Sequence, residues 1–138
     1  MNRSTCIVAC CSFLLILSSI ARGDIIQSGS LQASSDGIDV TIRWSTVDES
    51  NVAYFDVQRS SGLNGTFVSL GQRILPKGPS LYQFIDRTAF MRTASVYQYR
   101  IVVYGPGDVA LYTSSPITVT HSVSGVRRTW GSIKSLFR

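Results

Sequence analysis

The sequence offers few side chains able to do acid–base or metal chemistry, and their positions restrict what that chemistry could be. All three cysteines, Cys6, Cys10 and Cys11, stand near the start of the chain, and His121 is the one histidine. A thiol-ligated metal site, a disulfide framework and a multi-histidine centre are therefore excluded beyond residue 11. His121-Ser122 sets a base beside a hydroxyl. Neighbours on an extended segment point to opposite faces, however, and no acid lies nearby in sequence to orient the ring. The expectation is a solvated histidine where the last strand meets the tail. Asp36-Gly37-Ile38-Asp39 and Asp48-Glu49 gather the oxygens that calcium takes, but without the repeated acid spacing of a calcium loop. Turn formation accounts for both runs better. No phosphate loop, G-x-S-x-G or H-E-x-x-H is present. The expectation is a non-enzymatic protein with no catalytic, cofactor or metal site.

The elements that would position any functional residue are strands. Val40, Ile42 and Trp44 alternate with Thr41, Arg43 and Ser45, so one set points inward and the other outward. Phe55, Val57 and Arg59 oppose Tyr54, Asp56 and Gln58 in the same way. Asn64-Gly65 signals a two-residue hairpin into Thr66-Phe67-Val68-Ser69-Leu70, because both residues tolerate positive φ. Asn64-Gly65-Thr66 is also a glycosylation sequon, of consequence only in a eukaryotic host. A turn-rich loop over 71–80 precedes a strand at 81–85. The longest β-branched and aromatic run, 96–104, places Tyr97, Tyr99, Ile101 and Val103 on one face. Gly105-Pro106-Gly107-Asp108 turns the chain into a last strand over 109–120, where Pro116 suits an edge. With a first strand near 25–32, this predicts seven strands and an antiparallel sandwich, an all-β fold.

Four of these segments together resemble the fibronectin type III family. Val40-Thr41-Ile42-Arg43-Trp44 is similar to the family's second strand, with Trp44 in the core. Tyr54-Phe55-Asp56-Val57-Gln58-Arg59 is similar to the third. Tyr97-Gln98-Tyr99-Arg100-Ile101-Val102-Val103 is similar to the sixth, in which Tyr97 would make the tyrosine-corner bond to upstream backbone. Ser114-Ser115-Pro116-Ile117-Thr118-Val119-Thr120 resembles the last. One departure is Thr93-Ala94-Ser95, which replaces the usual proline-glycine turn. The resemblance implies a seven-stranded fibronectin type III-like β-sandwich acting as a binding or spacer module without catalytic residues. If the third and sixth strands are neighbours, Tyr54, Asp56, Gln58, Arg100, Val102 and Tyr104 share one exposed face. Of these, Tyr54, Asp56, Arg100 and Tyr104 form a candidate binding face for a protein or glycan, since tyrosine and arginine dominate binding hot spots. Ordinary cross-strand pairing competes with that assignment.

The ends carry the address and the charge. Residues 1–23 read as a signal peptide: Arg3, an apolar stretch over 6–21, and small residues at Ser19-Ile20-Ala21 or Ala21-Arg22-Gly23. That stretch is short for a bilayer span. The sandwich is expected over 24–121, in a secreted, periplasmic or cell-envelope protein. Residues 122–138 form a basic tail. Of 138 residues, 13 are Lys or Arg and 8 are acidic, giving a net charge of +5. Arg127, Arg128, Lys134 and Arg138 in the tail meet no acid there, and residues 24–124 hold 7 basic against 8 acidic side chains. Val126, Trp130, Ile133 and Phe137 have the spacing of one helical stripe. A short amphipathic helix of this kind suits an anionic membrane surface or a partner's groove. Four charges on an exported chain make a poor nucleic-acid site.

Overall fold

The computed structural model describes residues 23–89 and 96–121. The segments expected to be a signal peptide and a helical tail, and the Thr93-Ala94-Ser95 turn, lie outside them, apart from Gly23 at the end of the leader. Eight strands occur among the described residues: β1 (Gln32–Ser35), β2 (Val40–Ser45), β3 (Tyr54–Ser61), β4 (Val68–Ile74), β5 (Leu81–Asp86), β6 (Val96–Gly105), β7 (Val109–Thr113) and β8 (Ile117–Thr120). One sheet has the order β1-β2-β5. The other runs β4-β3-β6-β7, with β8 also pairing β6, and all pairings are antiparallel.

The predicted seventh strand over 109–120 is two strands on the same edge of β6. Pro116 lacks an N–H and interrupts the ladder. Between the Val102–Thr113 and Tyr99–Ile117 pairs the outer chain carries one extra residue. Ser114 fills the break: its N–H donates to the Ile101 carbonyl and its Oγ accepts from the Ile101 N–H, both at 2.9 Å. A backbone donor inside the sheet is thus satisfied by a side chain. The first strand also differs from expectation. Residues 25–27 run beside 45–47, through Gln27 N–H to Ser45 O and Val47 N–H to Ile25 O, and a turn at 27–30 then leads into β1. Gly29 takes φ +72° there, a left-handed conformation that ends the extended run.

Asn64-Gly65 does not make a two-residue turn. β3 continues to Ser61 and β4 begins at Val68, and the left-handed residue of the connection is Gly62 (φ +78°). Gly65 is required for a different reason: a Cβ there would collide with the Ser61 carbonyl and Ser60 Oγ. Gly65→Ala should cost about 1–3 kcal/mol by overpacking, measurable as a lowered urea midpoint with an unchanged slope. β4 runs past its expected end at Leu70. Between the Asp56–Arg73 and Gln58–Ser69 pairs, β4 advances twice as far as β3. That bulge contains Gly71 at φ +81° and disrupts the regularity of an exposed edge.

The inward positions read from the alternation form the core. Val40, Ile42, Trp44, Phe55, Val57, Tyr97, Tyr99, Ile101 and Val103 are all buried. Trp44 stacks on Tyr82 (5.4 Å between centroids, 9° between planes), and Phe55 packs obliquely on both rings. The tyrosine corner is present: Tyr97 OH donates to the Ala89 carbonyl at 3.0 Å, just after β5. A polar cluster ties the two sheets. Arg59 of β3 pairs with Asp86 of β5 at 2.5 Å, Tyr99 OH of β6 donates to Asp86 Oδ2 at 2.9 Å, and Thr88 donates to Oδ1 through both N–H and Oγ1.

Candidate functional site

β3 and β6 are neighbours, with Tyr54 opposite Tyr104, Asp56 opposite Val102 and Gln58 opposite Arg100. Alternation therefore brings the predicted face together, but it is less open than expected. Asp56 and Val102 are buried, at 8% and 4% exposure. These strands are the centre of the sheet, flanked by β4 on one side and by β7 and β8 on the other. Asp56 is consumed locally: Ser69 Oγ donates to Oδ1 at 2.6 Å and Gln58 Nε2 to Oδ2 at 3.0 Å. Arg100 Nε donates to Gln58 Oε1 at 2.9 Å, and its guanidinium lies 4.2 Å over the Phe67 ring.

At the other end of this face Tyr54 and Tyr104 stack, 4.9 Å between centroids and 19° from parallel. Arg73 sits 4.4 Å over the Tyr54 ring. Tyr54 OH donates to Asp108 Oδ1 at 2.9 Å, and Arg73 reaches the same oxygen at 3.6 Å. Partial burial, then the bond to Asp108, hold the Tyr54 phenol above its ordinary pKa. Arg73, Asp108 and Phe67 were not legible as members of this face. Arg73 arrives because the β4 bulge sets it opposite Asp56. Asp108 arrives because Gly107 (φ +76°) and Asp108 itself (φ +58°) curl the β6–β7 turn back over the strand. An Arg–aromatic contact at an exposed site stabilises by about 0.5–1 kcal/mol. The Arg73 and Asp108 side chains remain 65% and 63% exposed, so the contacts leave them open to a ligand.

The groups singled out for chemistry make contacts within the sandwich. His121 is buried, with 3% exposure, rather than solvated. The inward alternation of β8 continues through Val119 to His121, whose Nδ1 lies 2.7 Å from Ser35 Oγ at the end of β1, while its ring meets Tyr97 edge-on. Asp36 Oδ1 accepts from the N–H groups of Ile38 and Asp39, an Asx turn, and these bonds lower its pKa. Asp48 closes a similar turn on Ser50. Glu49 does more: it accepts from Thr46 Oγ1, Tyr82 OH and Gly78 N–H, tying the β2–β3 turn to the β4–β5 connection. Burial alone would raise its pKa, but those bonds outweigh it and hold the carboxylate below its ordinary value. Among the described residues no three His, Cys, Asp or Glu side chains gather as metal ligands.

Strands β1-β2-β5 facing β4-β3-β6 with β7 and β8, carrying a buried strand-two tryptophan and a tyrosine corner, define a fibronectin type III-like sandwich. No family model and no curated protein matches the sequence. Among solved structures, the chain is similar to an Fn3-like protein from Clostridium thermocellum, at 16% identity and a TM-score of 0.47 over 64% of this chain and 83% of that one. It is also similar to the beta-1,2-glucanase from Parabacteroides distasonis, at 13% identity and a TM-score of 0.50 over 72% of this chain. The match spans 12% of the glucanase, so the likeness is one of fold and of a small part of that enzyme.

Proposed function

We infer that the protein is an exported, non-enzymatic interaction module whose basic tail contacts an anionic membrane surface or a partner protein. The observation that carries this reading is the uneven charge: residues 125–138 hold four cations and no acid beside a nearly neutral sandwich. Trp130, Ile133 and Phe137 supply apolar anchors at helical spacing among Arg127, Arg128, Lys134 and Arg138. Asp36, Asp48 and Glu49 are engaged in turn and loop hydrogen bonds, which is consistent with a binding role. Co-sedimentation with phosphatidylglycerol-containing vesicles tests the membrane form. Arg127→Glu/Arg128→Glu should release the protein from the pellet, and unchanged retention would refute the tail's membrane role.

The Arg73–Tyr54–Tyr104–Asp108 cluster favours a second reading, a carbohydrate- or protein-binding adhesin acting through that face. Tyrosine and arginine, which meet here at one end of the sheet face, are among the side chains most enriched in binding hot spots. Glycan-array or pull-down binding that survives the tail substitutions but not Tyr104→Ala would select it.

A further inference from the structure

Among the described residues the two sheets have four edges, and three of them are blunted. β1 is four residues long. β4 carries the bulge at Gly71. The outer edge beside β6 is split into β7 and β8, with Pro116 between them. Devices of this kind stop a sheet from recruiting further strands. β5 has none of them. Its six residues, Leu81-Tyr82-Gln83-Phe84-Ile85-Asp86, include no proline, glycine or lysine and pair with β2 in one unbroken register. Its one charge, Asp86, is turned inward to Arg59.

The phase of the hydrogen bonds fixes which backbone groups this edge leaves open. Ser45 stands opposite Leu81. Its carbonyl nevertheless accepts from Gln27 N–H at 2.9 Å and its N–H donates to Ser30 Oγ at 3.0 Å, both on the side away from β5. The next residue, Thr46, donates its N–H to the Ser80 carbonyl at 3.1 Å. Hydrogen-bonded and non-hydrogen-bonded pairs alternate along an antiparallel ladder. Leu81, Gln83 and Ile85 therefore direct their N–H and C=O groups away from β2, where no described strand pairs with them. Leu81 is also 59% exposed. We propose that β5 pairs antiparallel with β5 of a second copy, about a two-fold axis at Gln83. That register alone uses all the open residues of both strands. Gln83 faces its own counterpart, and Leu81 faces the partner's Ile85, an apolar cross-strand pair repeated on both flanks. The facing positions carry no charge, and residues 24–124 are nearly neutral, with 7 basic and 8 acidic side chains. Like charges therefore do not oppose the approach of two sandwiches. The contact is isologous and uses neither the tail nor the Tyr54–Tyr104 face. An edge of six residues is small for an interface, so the dimer is weak.

Sedimentation velocity on the full processed chain, over a series reaching high concentration, tests this together with backbone amide exchange. Reversible dimers are expected. The amides of Leu81, Gln83 and Ile85 should exchange freely in dilute samples and slow several-fold as dimer accumulates. Gln83→Glu keeps the acceptor that Arg43 Nε uses at 2.9 Å, so the Tm should hold. It also sets two carboxylates face to face at the axis, and association should weaken about tenfold or more. Gln83→Lys should weaken it as well, and an equimolar mixture of the two variants should restore dimers, now as heterodimers. Monomers at every concentration, or dimers indifferent to Gln83→Glu, would overturn the proposal. Association that is lost when the chain ends at His121 would assign the contact to the tail and overturn it too. Edge amides already protected in the monomer would mean that the chain covers its own β5, with the same consequence.

Discussion

Asp86→Ala should lower folding stability by about 3–5 kcal/mol, the usual cost of removing one partner from a buried ion pair. Asp86 is 2% exposed and the Arg59 side chain 10%, so the substitution strands a guanidinium between the sheets. It also removes the acceptor of Tyr99 OH and of both Thr88 donors. In a domain of this size the Tm should fall by well over roughly 10 °C. Replacing Arg59 and Asp86 together by apolar residues should cost less than Asp86→Ala alone, because no charge is left behind. A double-mutant cycle in urea measures that coupling.

The same cluster sets the pH dependence. Burial alone would raise the Asp86 pKa, but the Thr88 and Tyr99 hydrogen bonds and the Arg59 charge outweigh it and hold the carboxyl below its ordinary value. A folded-state pKa beneath the unfolded one means stability present above about pH 4 and lost as pH falls through the folded value. Tyr99 behaves oppositely. Burial, then the Asp86 charge, raises its phenol far above the ordinary range. Its contribution is complete below about pH 10 and is lost at higher pH, as the unfolded phenol ionises first. Wild type should therefore lose stability at both extremes. Asp86→Ala should flatten the acid limb, and an acid limb of unchanged steepness would place that linkage elsewhere.

What alternation could and could not reveal follows from the range of each interaction. The inward sets at Val40–Ile42–Trp44 and Tyr97–Tyr99–Ile101–Val103 are nearest-neighbour patterns, and every member is buried. Pro116 marked an edge position but not the break in the last strand, whose repair by Ser114 depends on Ile101 across the sheet. Arg59 sat on the inward face of its strand, yet only the packing of two sheets brings Asp86 to it. His121 was misread because its burial comes from β1, distant in sequence. On the candidate face, Tyr54 and Tyr104 were legible from register. Arg73 and Asp108 were not, since a bulge and a left-handed turn deliver them.

Trp44→Ala is expected to have a comparable effect, about 3–5 kcal/mol for a large aromatic removed from a packed core. Trp44 is fully buried, stacked on Tyr82 and in contact with Phe55, and so joins β2 and β5 of one sheet to β3 of the other. Trp44→Phe separates two contributions. It keeps an aromatic ring but loses volume, which alone would destabilise. It also deletes the indole N–H, which has no hydrogen-bond partner among the described residues. A buried donor left unpaired costs about 1–3 kcal/mol, so removing it offsets part of the cavity term. The phenylalanine variant should therefore lie much nearer wild type than the alanine variant in a urea titration. Because Trp130 is the other tryptophan of the chain, Trp44→Phe also leaves its fluorescence as a clean reporter of the tail. If phenylalanine costs as much as alanine, the indole N–H has a partner and the core is held by a polar bond as well as by ring packing.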